Sequence, residues 1–377
     1  MKKKIAIIGS GIAGLTIANL FKKYSDYEFM IYEKKDSLPV DEGYGIQLSP
    51  NSVTILNKIG FERIKDENLF NPSKLNFYSF SLKKICDLDI NFMNSPKVKY
   101  TTLQRSSLIE FLKDEIYGQN IRFGKKILEV TEIKEKILIK FEDNTNDLVD
   151  YIIAADGIFS NTKSLIEKKN HLPKLKKAIA IRSILNSKID LDIDKKNINL
   201  ILGSNFHLVI YPINKKNDLN LVCVVRNVIY NLEKTKDIIK SKILNQSKKL
   251  EILFEGNYNL WPIYYSPKIF QTSNKKIFYI GDAFNGFLPT MAQGASQSIE
   301  SAFELFNLLK NNSQDVHNIY YKNRLKRAIS VRKRSNFNYF IFHLSTNFAQ
   351  AFRNIILKFF VKNKTFLKKY IGEIYRS

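Results

Sequence analysis

The chain opens with three short segments whose apolar residues are spaced differently. Residues 4–8 form a short, mostly apolar run of the kind found in a buried strand. Residues 12–21 carry apolar side chains at helical spacing, and residues 29–33 have the pattern of a second strand that ends in an acid. The pattern therefore predicts a strand, turn, helix and strand at the start of the chain.

A different pattern occupies the middle of the chain. Between Lys177 and Trp261 the apolar runs are short and of β type, and turns containing Asn, Lys and Gly separate them. The predicted strands cover residues 178–185, 198–203, 207–213 and 219–225, followed by a predicted helix over 235–254. A buried strand over 276–280 and a long helix over 294–309 come next. We therefore expect a mostly β region inserted into an α/β region.

The turn after the first predicted strand has the pattern Gly-x-Gly-x-x-Gly. Gly9 permits the tight turn, Gly11 lets a pyrophosphate approach the backbone, and Gly14 lets the helix pack closely on the strand. The helix N-terminus offers unpaired N–H groups to phosphates, and Glu33 is placed to accept hydrogen bonds from ribose hydroxyls. The predicted contacts here are Gly9, Gly11, Ile12, Ala13, Gly14 and Glu33. The sequence thus predicts a dinucleotide site.

A second glycine-bearing loop, residues 281–294, follows the buried strand over 276–280. Asp282 stands at the carboxyl end of that strand, where ligands bind in open α/β sheets, and is suited to hydrogen-bond ribityl hydroxyls. Gln293 and Gly294 precede a helix whose N–H groups can face a flavin or its pyrophosphate. The predicted contacts here are Gly281, Asp282, Pro289, Gln293, Gly294 and Ala295. Together the two loops indicate FAD.

The composition of the 377 residues is that of a soluble globular protein, because 44% are hydrophobic and 25% are charged. No apolar run is long enough to span a bilayer, and Cys86 and Cys223 form no zinc or disulfide pattern. We therefore predict a cytoplasmic protein without a metal site. The net charge of +24 raises the question of nucleic acid. Because the lysines are scattered and no nucleic-acid-binding motif is present, no such partner is expected.

A third motif, Ala155-Asp156-Gly157, follows another predicted strand. With both glycine loops in this order, the chain resembles the class A flavin monooxygenases, most closely the salicylate hydroxylase-like group. The resemblance implies that Asp156 and Gly157 contact FAD and that Asp156 also serves NAD(P)H recruitment. It further implies that Arg105 contacts FAD from the start of a helix and that Trp261 packs between two domains.

The implied fold is α/β, with a Rossmann-like FAD-binding domain, an inserted, mostly β substrate-binding domain and a C-terminal helical segment. The FAD-binding domain is predicted over residues 1–74, 100–176 and 270–335. The substrate-binding domain is predicted over 75–99 and 177–269, and the helical segment over 336–377.

The resemblance also implies the reaction. NAD(P)H would reduce FAD, O₂ would add to the flavin as a C4a-hydroperoxide, and one oxygen atom would pass to an electron-rich phenolic or hydroxybenzoate-like ring. NAD(P)H would bind transiently, because no second Gly-x-Gly-x-x-Gly motif is present. Two alternatives stay open: an FAD-dependent reductase or dehydrogenase of a lipophilic or quinone-type substrate, and a non-catalytic flavin-binding redox protein.

Two residues of the predicted strand 207–213 are candidates for a general base. His207 and Tyr211 lie four residues apart in a strand, so they face the same side. Either would suit activation of a phenol within hydrogen-bond reach. Tyr211 and Pro212 resemble the substrate strand of the family, so we rank Tyr211 above His207.

The chain after Lys322 is basic and carries Glu373 as its only acid. Apolar residues recur there at helical spacing from Phe348 to Phe360, with Arg353 among them. An amphipathic helix packed across both domains is the simpler interpretation, and peripheral contact with anionic lipid is the alternative. The protein is expected to be a monomer or a homodimer.

Overall fold

The computed structural model describes residues 2–38, 44–116, 118, 120–229, 231 and 235–375, with residues 235 and 236 described in their backbone only. The described strands are β1 Lys4–Ile8, β2 Glu28–Tyr32, β3 Gly45–Leu48, β4 Leu69–Phe70, β5 Lys74–Ser79, β6 Lys84–Asp89, β7 Thr101–Gln104, β8 Ile121–Arg122, β9 Ile127–Ile133, β10 Lys136–Phe141, β11 Asn146–Val149, β12 Tyr151–Ala154, β13 Lys174–Asn186, β14 Ile198–Leu202, β15 Phe206–Pro212, β16 Asp218–Arg226, β17 Asn259–Tyr265 and β18 Ile277–Tyr279. The described α-helices are α1 Ile12–Tyr24, α2 Pro50–Lys58, α3 Arg105–Asp114, α4 Asn161–Glu167, α5 Thr235–Ile239, α6 Gly294–Lys310, α7 Val316–Phe342, α8 Asn347–Phe360, α9 Lys364–Leu367 and α10 Glu373–Tyr375.

A parallel sheet forms the centre of the first region. Its order is β18-β12-β1-β2-β8, and each of these pairings is parallel. β1 lies in the middle and is buried from Ile5 to Ile8, as a parallel strand covered on both faces must be. α1 and α6 pack against each other beside this sheet. The two helices that follow the predicted glycine loops therefore start at the same sheet edge.

A seven-stranded sheet forms the second region. Its order is β17-β13-β16-β15-β14-β5-β6, with antiparallel pairings except between β14 and β5. Its strands come from two separate stretches of the chain, 74–89 and 174–265. Alternate residues of β15 enter two different apolar clusters, so both faces of this strand are buried. The domain limits predicted from the sequence stay a prediction.

The C-terminal helices join the two sheets. α7 is 27 residues long and continues through residue 335. Near its start, the hydroxyl of Tyr320 donates to the carbonyl of Tyr279 on β18 at 2.9 Å. Near its end it packs on the turn Pro289–Met291, and α8 packs on β6. Within the described residues, no helix is both long enough and apolar enough to cross a membrane.

The helical stretch predicted over 235–254 is present, but it is not one continuous helix. The chain forms α5, a π turn over Lys240–Leu244 and a 3-10 segment over Lys248–Phe254. The break coincides with Gln246, whose side-chain amide exchanges two hydrogen bonds of 2.9 Å with the backbone of Ser204. Gln246 therefore ties this break to the turn that precedes β15.

Strand β17 is a second departure from the sequence analysis, which predicts no strand there. Pro262 removes a backbone donor, which argues against a central strand. β17 lies at the edge of the seven-stranded sheet, where a proline is tolerated. Trp261 is 42% exposed on this edge strand, so the expectation that it packs between two domains is wrong.

Candidate active site

Three parallel strands end at one pocket. Gly9 follows β1, Glu33 follows β2, and Asp156 lies just beyond β12. The pocket has a volume of about 270 Å³. The predicted contacts that line it are Gly9, Gly11, Glu33, Arg105, Asp156 and Gly157. Nucleotide ligands bind at this edge in open parallel sheets.

The glycines of the first loop have different surroundings. A Cβ on Gly14 would lie 2.0 Å from the carbonyl oxygen of Gly9, and Gly9 has a φ of +104°. A Cβ on Gly11 would meet no atom of the described residues within 4 Å. Ile12 and Ala13 open α1, and such first N–H groups have no intrahelical partner. Gly9 and Gly14 are thus required by the fold, whereas Gly11 leaves space before a helix N-terminus.

Glu33 is held by the loop that it faces. Its Oε2 accepts hydrogen bonds from the backbone N–H of Ser10 at 3.0 Å and from the hydroxyl of Ser10 at 2.7 Å. Its Oε1 accepts from the N–H of Lys35 at 3.0 Å. The basic residues that line the same pocket outnumber its acids, Glu33 and Asp156, so the net charge of the lining favours an anionic ligand. These basic residues are Lys34, Lys35, Arg105, Lys125 and Lys126.

Asp156 uses one carboxylate oxygen and leaves the other free. Oδ2 accepts from the N–H and the hydroxyl of Thr162 at 3.1 and 2.8 Å, whereas buried Oδ1 has no partner among the described residues. The ammonium of Lys163 is likewise buried without a described hydrogen-bond partner, 4.0 Å from the ring centroid of Phe270. Burial lowers the pKa of Lys163 to about 8, although the charges of Asp156 and Asp282 oppose this. The sequence motif alone assigns no role to Lys163. Only the burial of its ammonium group in the structure points to one.

The second loop touches the first. A Cβ on Gly281, which has a φ of +57°, would lie 3.0 Å from the Cβ of Ala13 and 2.9 Å from the hydroxyl of Ser298. Asp282 comes next and is half-buried. Burial raises the pKa of Asp282 to about 6, and the charge of Lys163 opposes the rise. The structure therefore packs the start of the second loop against the first, although no residue of 281–294 is among the described residues that line the first pocket.

The far end of the second loop leads into α6. The side-chain amide of Gln293 donates to the hydroxyl of Ser49 at 3.2 Å. A Cβ on Gly294 would meet nothing within 4 Å among the described residues, and Ala295 is half-buried. Pro289 begins the 3-10 turn Pro289–Met291, which borders a second cavity.

This second cavity, here called the apolar cavity, has a volume of about 440 Å³. Its walls come from the turn Pro289–Met291, from the seven-stranded sheet, and from the helices between Phe337 and Tyr375. Most of its lining side chains are aliphatic or aromatic. The polar residues that line it include Gln47, Thr290, Asn338, His207 and Arg353.

His207 lines the apolar cavity and is paired with another histidine. Its Nδ1 lies 3.0 Å from Nε2 of His343, whose Nδ1 lies 2.5 Å from the carbonyl oxygen of Tyr339. Because a carbonyl only accepts, neutral His343 donates from Nδ1, so His207 donates from Nδ1 and keeps the lone pair of Nε2. Burial and then His343 lower the pKa of His207 well below its ordinary value, and burial lowers the pKa of His343 to about 4. The pair is therefore neutral at pH 7.

Tyr211 shares its face of β15 with His207, but it is not among the described residues that line the apolar cavity. Burial raises the pKa of Tyr211, although Arg182 and a hydrogen bond with Gln47 oppose the rise. Gln47 lines the cavity and accepts from the hydroxyl of Tyr100 at 2.7 Å. Tyr211 thus adjoins the cavity through Gln47.

A buried ionic cluster between α6 and α7, here called the Glu300 network, is not predicted from the sequence. Glu300 lies 3.2 Å from Arg324 and 2.5 Å from Arg327. Arg324 also lies 3.5 Å from Glu304 and donates to Gln297 at 2.8 Å. Burial favours a raised pKa for Glu300, but the two arginines outweigh it and lower that pKa. The charges of this network compensate one another.

These features together define a protein that binds a dinucleotide cofactor, and they fit FAD. Gly11, Gly157 and Gly294 all face open space within the described structure. Asp156 Oδ1 and Lys163 Nζ are buried and unpartnered there, which in native proteins calls for a ligand or water. The N-terminus of α1 adds donors for a pyrophosphate.

The comparisons with known proteins agree. A protein-family model described as an FAD binding domain matches residues 2–335, and the chain belongs to this family. A 3-amino-4-hydroxybenzoate 2-monooxygenase of Streptomyces platensis is 24% identical over 370 residues, covering 94% of this chain and 92% of that protein. A salicylate hydroxylase of Pseudomonas putida is 21% identical over 348 residues, covering 84% of this chain and 78% of that protein.

A solved structure shows the same fold. A variant of HpxO from Klebsiella pneumoniae, crystallised with FAD, matches with a TM-score of 0.84 and 17% identity, covering 98% of each chain. The predicted fold class is therefore confirmed. The chain is a class A FAD-dependent aromatic monooxygenase, as its resemblance to that class predicts. The roles of the individual site residues stay predictions.

Proposed function

We propose that the protein uses FAD and NAD(P)H to insert one oxygen atom from O₂ into a hydroxylated aromatic ring bound in the apolar cavity. The observation that carries this proposal is the position of the turn Pro289–Met291. This turn belongs to the loop predicted to face the flavin, and it also lines the apolar cavity. The names of the two curated relatives refer to hydroxylated or aminated benzoates, which are electron-rich rings of this kind.

In this proposal the two loops divide the cofactor between them. The first loop and α1 bind the adenosine and pyrophosphate half, with Glu33 accepting from the ribose. Asp282 binds the ribityl chain, and the free oxygen of Asp156 and the buried ammonium of Lys163 complete the polar contacts. When bound, the flavin supplies the chemistry of oxygen activation. The protein itself binds and orients the two reactants and excludes water.

The C-terminal helices fix the turn that separates cofactor from substrate. The hydroxyl of Thr290 donates to the carbonyl of Ser335 on α7 at 2.6 Å. Asn338 donates to the carbonyl of Thr290 at 3.2 Å, and the hydroxyl of Tyr375 donates to the carbonyl of Met291. A ring resting on this turn is therefore held in one orientation by apolar walls that keep out water.

We propose that His207, rather than Tyr211, faces the substrate hydroxyl. His207 lines the apolar cavity and keeps a free Nε2 lone pair, so it can accept a hydrogen bond from a phenol. Its lowered pKa makes it a weak base, so it orients the hydroxyl more than it removes the proton. Tyr211 stays protonated and positions Gln47. This order reverses the ranking expected from the sequence.

The test is a purification followed by flavin absorbance, NAD(P)H oxidation and O₂ uptake with a panel of phenols, hydroxybenzoates and hydroxypyridines. We expect bound FAD, oxidation accelerated by an accepted phenol, and a product heavier by one oxygen atom. Turnover that is independent of O₂ would support a reductase or dehydrogenase instead. Bound FAD without stimulation by any compound would support the non-catalytic alternative.

A matched pair of variants tests the role of His207. His207→Phe is expected to slow substrate-stimulated hydroxylation by about 10-fold or more, because phenylalanine cannot accept the orienting hydrogen bond. His171→Phe replaces a half-buried histidine that does not line the apolar cavity as described, and it should leave the rate unchanged. An unaffected rate in His207→Phe would return the role to Tyr211.

We further propose that α8 contacts anionic membrane surfaces. Its outward face carries the exposed apolar residues Phe348, Phe352, Ile355 and Phe359, with exposures of 83, 57, 66 and 67%. Their spacing places them on one face of the helix. The buried residues of α8 are Gln350 and Arg353, which is the reverse of an ordinary surface helix.

Exposed basic residues lie on α8 and in the segment that follows it, as attachment to anionic lipid requires. The exposed lysines here are Lys358, Lys362, Lys364, Lys368 and Lys369. Phe340 and Phe352 are 56 and 57% exposed and also line the apolar cavity. The cavity therefore opens toward the proposed membrane surface, which suits a lipophilic substrate.

Sedimentation with lipid vesicles tests the membrane contact. We expect the protein to sediment with vesicles of phosphatidylcholine and phosphatidylglycerol at low salt, but not with phosphatidylcholine alone. The double variant Phe348→Ser and Phe359→Ser should stay in solution. Ile229→Ser, which replaces a side chain exposed to 75% elsewhere, should sediment like the wild type. A concentration-dependent dimer without vesicle binding would show that a second copy covers this face.

A further inference from the structure

Arg353 is an arginine buried in apolar surroundings. It is 2% exposed and lies on the inward face of α8. Of the described residues that line the apolar cavity, it alone carries a permanently charged side chain. Most of the remaining wall consists of Phe, Leu, Ile and Val. A guanidinium in such surroundings loses its hydration, which is costly unless a partner replaces it.

The protein supplies Arg353 with only part of such a partner. Its Nε and Nη2 both donate to Oδ1 of the neutral amide Asn354, at 3.1 Å each. Nη1 is buried and has no hydrogen-bond partner within the described ranges. Burial alone accounts for the lowering of the pKa of Arg353 to about 10, with no carboxylate opposing it. The charge therefore stays uncompensated by the described chain.

A carboxylate is the ligand group that best completes this site. A guanidinium binds a carboxylate through paired, charge-assisted hydrogen bonds, which also cancel the buried charge. Nη1 provides an unused donor for such a ligand. The same cavity is lined by Pro289–Met291, so one ligand can contact both this turn and Arg353.

We propose that Arg353 determines substrate specificity by binding the carboxylate of a substrate whose hydroxylated ring rests on Pro289–Met291. This inference rests on the function proposed above and names its substrate class: an extended aromatic acid with an apolar body. The volume of about 440 Å³ and the apolar walls suit a ligand longer than a single substituted ring.

The probes for the test are para-hydroxyphenylalkanoic acids of increasing chain length, each with its methyl ester. Equilibrium binding to the FAD-loaded protein is followed by the change in flavin absorbance, and NAD(P)H oxidation is measured separately. The variants are Arg353→Met, Arg353→Lys and Lys322→Met. The last removes one positive charge from an exposed position on α7 and is the matched control.

We expect the wild type to bind the long acids more tightly than their esters. Arg353→Met should weaken acid binding about 10- to 100-fold and leave ester binding unchanged, because only the acid uses the guanidinium. The affinity of Arg353→Lys for the long acids should lie between those of the wild type and Arg353→Met. Lysine keeps the positive charge but lacks the paired donors of the planar guanidinium. Lys322→Met should behave as the wild type. Arg353→Met is expected to fold, with a Tm at or above that of the wild type, because methionine removes a buried charge.

Two results would overturn the role of Arg353: equal affinity of the wild type for acids and esters, or an equal loss of both in Arg353→Met. Stimulation by neutral phenols without a preference for acids would overturn this role alone. Absence of FAD, or of any response to phenols, would instead overturn the proposed function. If the proposed function fails in this way, stabilisation of the protein against heat by the long acids still tests the Arg353 site. If the long acids do not stabilise the protein, the site is rejected.

Discussion

Arg324 and Arg353 are both buried by the C-terminal helices, at 4 and 2% exposure, yet the protein treats their charges differently. Arg324 has Glu300 and Glu304 within ion-pair distance. Arg353 has the neutral amide of Asn354. Each has one buried nitrogen without a described partner, Nε in Arg324 and Nη1 in Arg353. Charge compensation, and not the number of unused donors, therefore separates an arginine of the fold from one that awaits a ligand.

The same distinction separates the glycines of the first loop. Gly14 has its space filled by the backbone of Gly9, whereas Gly11 faces no described atom within 4 Å. The fold needs Gly14 to be small, whereas the small size of Gly11 is predicted to serve the cofactor. We therefore expect substitution of Gly14 to act on stability and substitution of Gly11 to act on cofactor binding.

The largest expected effect is the contrast between two single variants, Arg324→Met and Arg353→Met. Arg324→Met should lower the free energy of unfolding by about 3–5 kcal/mol, because the largely buried Glu300 and the partly exposed Glu304 lose a partner. Arg353→Met should change it by less than about 1 kcal/mol, or raise it, because no carboxylate is left unpaired. Urea unfolding of the two variants measures the contrast. Equal losses in both would mean that Arg353 also serves the fold.

A smaller effect is expected from the His207–His343 pair, in which two neutral imidazoles are hydrogen-bonded within the chain. Since the folded pKa of His343 is about 4 and its ordinary value is 6.5, the unfolded chain binds more protons between these values. Stability should thus be fully present above pH 6.5 and fall by about 3 kcal/mol as the pH drops toward 4. His343→Gln should reduce the slope of the unfolding free energy against pH in this range, and the slope that remains belongs to His207, whose pKa burial also lowers. A wild-type profile as flat as that of His343→Gln would contradict the assignment.

The smallest expected difference in stability is that between the variants Gly14→Ala and Gly11→Ala. Gly14→Ala should cost about 1–3 kcal/mol, because the new methyl group overlaps the Gly9 carbonyl. Gly11→Ala should change the stability of the FAD-free protein by less than about 0.5 kcal/mol and weaken FAD binding about 10-fold or more, because the methyl group occupies the space of the pyrophosphate. Thermal unfolding and flavin fluorescence titration check the pair. Normal FAD binding by Gly11→Ala would place the cofactor elsewhere.

Much of the parallel-sheet region could be predicted from the sequence because its determinants are local. The glycine spacing, the apolar run of β1 and the acid after β2 each depend on a few neighbouring residues. The structure places Gly9 and Glu33 at one pocket, and it adds Asp156, which the family resemblance implies. The other long strands of the second sheet are equally predictable from their sequence patterns. Edge strand β17 is not, because Pro262 argues against a strand unless the strand is known to lie at a sheet edge.

The sequence by itself determined the two glycine-bearing loops, the fold class and the helical, two-faced character of α8. Only the tertiary structure decided which face of α8 points inward, and with it the burial of Arg353. The His207–His343 pair and the Glu300 network likewise join side chains far apart in the chain. Helical spacing defines two faces but not their environment, because burial and charge compensation depend on the elements that pack against the helix.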